Sequence, residues 1–357
     1  MSTVPTAPLP GSRASAPPLL AVLTAPVRAL DRVRWLWLKA LGPFAKPLVR
    51  NRELRVAAAG STLILLSMLG TALAPMWMLA LGPVLWGVPH VVGDVRYLAV
   101  RPGRHRMPRF WLLVALPLLV LSFTGQPVWG FVAALGAVFA ARGPWYRRVV
   151  VAAPLAALAY LAVDEVYMTA VVFAHAHNFI AVGLFWSWRK RAGRLHWIPL
   201  ALFFGGAAFI LAGGLDALAL DRGSLSWAPP GLEAGYHMMA LAPEAAFVWA
   251  VRLVLLFAFA QSVHYVVWVR LVAEEDRPRE TPRTFHASLV ALREDFGGPL
   301  LGLTILATVG LFVWAAFDVF AARDGYLRAI LFHGHFEVAI AAWVAIEGVR
   351  PGRRTAT

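Results

Sequence analysis

The chain contains no cysteine. That excludes disulfides, iron–sulfur clusters and thiolate-bound metals, so any metal ligands must be imidazole, carboxylate or amide. Charge is scarce as well: 15% of the 357 residues are Asp, Glu, Lys or Arg, against 60% hydrophobic. A soluble domain of that length cannot bury so much apolar surface. With a mean hydropathy of +0.67, the composition describes an all-α polytopic membrane protein, a transmembrane helical bundle. Acidic residues are the scarcer sign, 19 against 33 basic, for a net charge of +14. The cations gather between apolar spans, as topology signals and as contacts to the headgroups of membrane lipids, which argues against nucleic acid as a partner. Internal and inverted repeats are also missing, which weakens transporter readings.

Four regions follow from the patterning. Residues 1–26, rich in Pro, Ala and Ser, read as a disordered tail. No cleavable signal peptide is expected there, because Leu19–Leu23 is too short and nothing basic and compact precedes it. Residues 27–55 carry Arg28, Asp31, Arg32 and Lys39 mostly on one face, with Trp35, Leu36, Trp37 and Leu38 over much of the rest, which suits a basic helix in the membrane interface. Residues 56–347 form the bundle and 348–357 a basic tail. About ten spans are expected within the bundle, near 56–74, 76–98, 110–124, 127–142, 148–163, 166–188, 196–215, 246–270, 298–320 and 326–347. Pro117, Pro127 and Pro154 blur the third to fifth, leaving a count of eight or nine open. The arginine-rich turns at 99–109, 143–147, 189–195, 271–297 and the C-terminal tail alternate with acidic or mixed turns at Asp164–Glu165, Asp216–Glu244 and Arg323–Asp324. The positive-inside rule then places both termini in the cytoplasm, with the protein in the cell's inner membrane.

Six of the ten histidines fall inside these spans: His90, His175, His177, His264, His333 and His335. An ionisable group in a bilayer is costly, so each is a functional candidate. Four spans also place a polar residue three or four positions away, on the histidine's own helical face: His90/Asp94, His175/Asn178, Gln261/His264 and His333/Glu337. Arg96 is an alternative partner for Asp94, and Pro89 removes a backbone hydrogen bond beside His90. The His175/His177 and His333/His335 pairs are two residues apart, so on a straight helix their rings diverge by about 200° and one of each pair should face a common centre. Measured from the assumed cytoplasmic ends, the histidines sit about 10–20 Å deep, with His333 somewhat deeper, so a shared layer is permitted. All six are candidate metal ligands, with Asp94 and Glu337 as carboxylate ligands, orienters or catalytic groups.

The segment Gly87-Val88-Pro89-His90-Val91-Val92-Gly93-Asp94 resembles the Gly-x-Pro-His-Gly-x-x-Asp motif of the Brp/Blh-type membrane β-carotene 15,15′-dioxygenases. The resemblance covers these eight residues and carries over to His90 and Asp94; Val91 replaces the family's second glycine. The later histidines match only in kind. The resemblance implies histidine-bound iron and cleavage of a carotenoid.

Imidazole and carboxylate without thiolate favour non-haem iron, with copper or zinc as alternatives. The leading expectation is a membrane oxygenase or oxidoreductase acting on a hydrophobic isoprenoid or lipid, with an apolar wall orienting the substrate and excluding water. Two other classes use the same residues. One is a haem-binding electron-transfer protein with bis-histidine ligation, and the other a proton-coupled transporter with His, Asp and Glu as a relay.

Overall fold

The computed structural model describes residues 18–188, 193–277 and 280–348. Every regular element among them is helical. In chain order they are α1 (Pro18–Ala40), α2 (Arg52–Leu73) and α3 (Pro75–Val100), α4 (Pro108–Thr124), α5 (Val128–Ala140) and α6 (Trp145–Asp164). Next come α7 (Val166–Trp188), α8 (Trp197–Leu211), α9 (Ala234–Leu241), α10 (Phe247–Glu275) and α11 (Phe285–Phe296). The last are α12 (Gly298–Phe317), α13 (Val319–Ala329) and α14 (His333–Glu347). Counting α13–α14 as one interrupted span, 7 helices among the described residues are long and apolar enough to cross a membrane, and α4, α5 and α8 are shorter apolar helices. The expected spans therefore coincide with helices, three of which fall short of a full crossing by length.

The sides of the helices separate by burial. In α10, 78% of the apolar stretch is buried, against 6% in α12. α10 is the central post, packed by α2, α3, α7, α8 and α9. α12 turns Leu303, Ile305, Leu306, Val309 and Val313 outward, as a lipid-facing helix does, because acyl chains solvate leucine as well as a protein core does.

The N-terminal region departs from its expectation. The helix begins at Pro18, so residues 18–26, read as tail, are helical. Residues 1–17 of that tail, the cations Arg189, Lys190 and Arg191, and residues 349–357 lie outside the described residues. α1 exposes Trp35, Leu36 and Trp37 and packs on α11. Asp31 accepts hydrogen bonds from the backbone N–H of Phe285 at 2.7 Å and His286 at 3.1 Å. This caps otherwise orphaned donors at the start of α11 with a negative charge, which the helix dipole favours.

One end of the bundle is closed by ion pairs. Arg55 donates to Glu274 at 2.5 Å, Arg277 and Arg270 join the same carboxylate, and Arg101 pairs with Asp276. Arg96 pairs with Asp295 at 2.7 Å, so it does not serve Asp94, the alternative left open by their spacing. These pairs tie α2, α3, α10 and α11 together on the basic side.

Two helices change pitch beside the interior cluster described next. Immediately after Asp94, α3 widens into a π-helical stretch at Val95–Val100. After Val266, α10 does the same at Val267–Leu271. Such i→i+5 segments rotate the residues beyond them relative to an ordinary α-helix and recur at functional sites.

Candidate metal centre

His90 and Asp94 come from α3, His177 from α7, His264 and Trp268 from α10, and His333 and Glu337 from α14. In each of α3, α10 and α14 the two residues are four apart, so both point to the same neighbour. Ring nitrogens of His90, His264 and His333 lie within 4.8 Å of one another. The His177 ring adjoins both His264 and His333, with centroids 5.2 Å apart in each pair.

Backbone carbonyls orient three of the rings. His90 Nδ1 donates to Trp86 O at 3.3 Å, His177 Nδ1 to Phe173 O at 3.3 Å and His333 Nδ1 to Ile330 O at 2.8 Å. A carbonyl only accepts, so each Nδ1 carries the proton and each Nε2 keeps its lone pair, the form a metal binds. His90 Nε2 and both nitrogens of His264 are buried with no hydrogen-bond partner.

Spacing supplies a second test of fit. An ion about 2.1 Å from a ring nitrogen stands about 3.2 Å from the ring centroid, so two rings on one ion have centroids about 4.5 Å apart at right angles and about 6.4 Å apart when opposed. The neighbouring pairs here measure 5.3 Å for His90–His264, 5.0 Å for His90–His333 and 5.7 Å for His264–His333, inside that interval. The donor set fits a single metal ion.

A carboxylate layer lies against the imidazoles. Oxygens of Asp94 and Glu337 group with a His264 nitrogen within 4.8 Å, and His264 Nε2 is 3.4 Å from Glu337 Oε1. Trp268 Nε1 donates to Glu337 Oε1 at 2.6 Å. Both side chains are fully buried, and among the described residues both Asp94 oxygens and Glu337 Oε2 have no hydrogen-bond partner. An ionised carboxylate so placed costs several kcal/mol unless a cation is near. Among the described residues no Arg or Lys pairs with either, which is a second reason to read the cluster as a cation site.

The other members of the two His-x-His pairs lie outside this group of nitrogens, although His335 shares the wall of the adjoining cavity. His175 Nε2 hydrogen-bonds Leu241 O at 2.9 Å, and its ring stands edge-on to Phe257. His335 stacks on Phe173 with centroids 3.8 Å apart and lies against Phe131, in a space that exists because residue 130 is glycine. Asn178 Nδ2 donates to Ala174 O of its own helix.

A cavity of about 270 Å³ opens beside the cluster, its wall including His177, His264, His333, Phe173, Leu241 and Phe257. Phe173 belongs to that wall, whereas Trp86, Phe185, Trp186, Met238 and Phe332 do not. Trp86 instead faces outward at 50% exposure.

Two glycines beside the cluster act by size. A Cβ at Gly87 would press into the phenol of Tyr326 on α13, and one at Gly334 would stand 3.1 Å from His177 Cγ. Gly87 therefore lets α13 seat on α3, and Gly334 lets α7 approach α14. Tyr326 is itself buried with Val84, Leu311 and Ala322, so it has little room to yield. Gly87→Ala is expected to destabilise the protein by about 1–3 kcal/mol, the range for overpacking. Thermal unfolding in detergent checks this; an unchanged melting temperature would show that Tyr326 moves freely.

Trp268, Tyr326, His237 and Arg323 are absent from the sequence-level candidates. Trp268 had a signal, four residues after His264 on the same face. By sequence Arg323 and His237 fall in loops between spans, yet Arg323 lies within α13 and His237 within α9. The fold and the site together define an all-helical protein with membrane-length spans and a buried imidazole–carboxylate cluster. The chain matches no family model, no curated protein and no solved structure with which it was compared.

Proposed function

We propose that the protein is a metal-dependent oxygenase, with non-haem iron held by histidine, acting inside the membrane on a hydrophobic isoprenoid or lipid such as a carotenoid. The observation that carries this reading is the convergence of ring nitrogens of His90, His264 and His333 within 4.8 Å of one another beside an apolar cavity. His90, His264 and His333 would hold the metal, with His177 as a fourth candidate. When bound, iron supplies the capacity to activate dioxygen. The protein's own part is to fix the His90, His177 and His333 rings through their Nδ1–H bonds, to balance a dication with Asp94 and Glu337, and to hold the substrate against the cluster while the apolar wall excludes water. The motif match at Gly87–Asp94 points the same way. The basic end of the bundle would face the cytoplasm, in a cell membrane.

The geometry favours this over haem. A porphyrin must slide as a flat plate between two opposed imidazoles, whereas these rings converge with centroids 5.0–5.7 Å apart, closer than the about 6.4 Å of two imidazoles opposed across one ion. The test is elemental analysis and an absorption spectrum on one detergent-purified sample. The expected result is about one iron per chain with no Soret band. A Soret band, or no metal after reconstitution with ferrous iron, would overturn the proposal.

A further inference from the structure

Away from the histidines the same cavity has a second polar region. Its wall there includes Tyr236, His237, Arg323 and Asp324. Arg323 is 6% exposed, its Nε donates to Leu79 O at 3.0 Å, and its guanidinium lies over the Tyr236 ring at 6.0 Å. Among the described residues no carboxylate pairs with it. The adjacent Asp324 pairs instead with Arg328 at 3.0 Å, leaving one positive charge in excess. Buried cations are normally paired, because desolvating one alone costs several kcal/mol. His237 is fully buried, and among the described residues neither of its ring nitrogens has a hydrogen-bond partner. Burial, and then the Arg323 cation, push its imidazole down to about 3. It is therefore neutral, with one N–H to donate.

An unpaired guanidinium and a neutral imidazole with a free N–H, both lining an otherwise apolar cavity, make a recognition site for an oxygen anion on an apolar chain. We infer that the cavity binds an amphipathic lipid whose anionic head, a carboxylate or a phosphate, docks on Arg323 and His237 while its tail runs toward His333. Leu79, whose carbonyl accepts from Arg323, and His90 of the cluster are eleven residues apart on α3, roughly 16 Å at helical rise, a span that a long acyl or isoprenoid chain covers. Arg323 lies near the start of its span, one turn beyond the α12–α13 junction at Asp318. The head would thus sit near the bilayer surface and the reacting carbons deeper. This narrows the proposed substrate from any hydrophobic lipid to one with a charged terminus. It rests on reading the cavity as the substrate site and does not depend on the metal.

The test is equilibrium binding to the full chain, as purified, in nanodiscs of phosphatidylcholine. The probes are palmitate, hexadecyl phosphate and methyl palmitate, which share one chain length and differ in the head. At least one anion should bind about tenfold or more tighter than the ester. Palmitate ahead of hexadecyl phosphate would indicate a fatty- or isoprenoid-acid substrate, and the reverse order a phosphate-headed lipid. Arg323→Gln should erase the preference and Arg323→Lys should keep most of it. Equal binding of ester and anions by the unmodified protein would overturn the inference, even if the Gln variant failed to fold. Metal content measured on the same sample separates the two readings: anion preference without iron would leave this site standing and remove the oxygenase.

Discussion

Changing His333 to Ala should weaken metal binding by about 100-fold or more, whereas changing His335 to Ala should leave it nearly unaltered. The two residues are adjacent but one on the helix, yet their surroundings differ in kind. His333 gives its Nδ1–H to Ile330 O at 2.8 Å, and its ring meets His90, His177 and His264. His335 is packed as an aromatic plate on Phe173. Its loss should appear in the melting temperature, at about 1–3 kcal/mol for the hole left behind. The second pair repeats the contrast. His177→Ala should lower affinity, while His175→Ala should cost only the bond to Leu241 O. Competition with a chromophoric chelator measures affinity, and thermal unfolding of the same variants measures stability. If His335→Ala strips the metal as fully as His333→Ala, the centre proposed here is wrong.

That contrast marks where sequence reasoning stops. Each apolar run became a helix because hydropathy over a span's length is a sum, robust to error at any one residue. The pairings His90/Asp94 and His333/Glu337 were legible because four residues bring a helix back to the same face, and both carboxylates do lie against His264. Which histidine of a His-x-His pair turns inward was not legible, because helix rotation is set by neighbours distant in sequence. Gly130 and Phe173 make the niche that takes His335, and the carbonyl of Leu241 takes His175. Arg323 was hidden for a related reason. In a linear reading an Arg-Asp pair between two spans is a loop signal. Only the seating of α13 against α3, which Gly87 allows, puts that cation beneath the surface.

The carboxylates should carry the other large effect. Asp94→Asn and Glu337→Gln preserve shape and remove one negative charge each. Three neutral imidazoles leave a dication in the interior with its full charge, and the two fully buried carboxylates are what can balance it where the effective dielectric is low. Each substitution should reduce metal affinity by about 10- to 100-fold, the range for partners that orient or polarise metal-bound histidine. Because both group with His264, their effects should be coupled, and the double variant should differ from the product of the single losses. Trp268→Phe is the control. It removes the N–H that Glu337 accepts at 2.6 Å but leaves the charge, so it should cost stability, about 1–3 kcal/mol, with a smaller change in affinity. Chelator competition on the single, double and Trp268 variants decides between roles. If the neutral variants bind metal as tightly as the parent, the carboxylates do not balance a cation at this centre. Their burial would then have to be explained by protons held between Asp94, His264 and Glu337, the arrangement a proton relay requires.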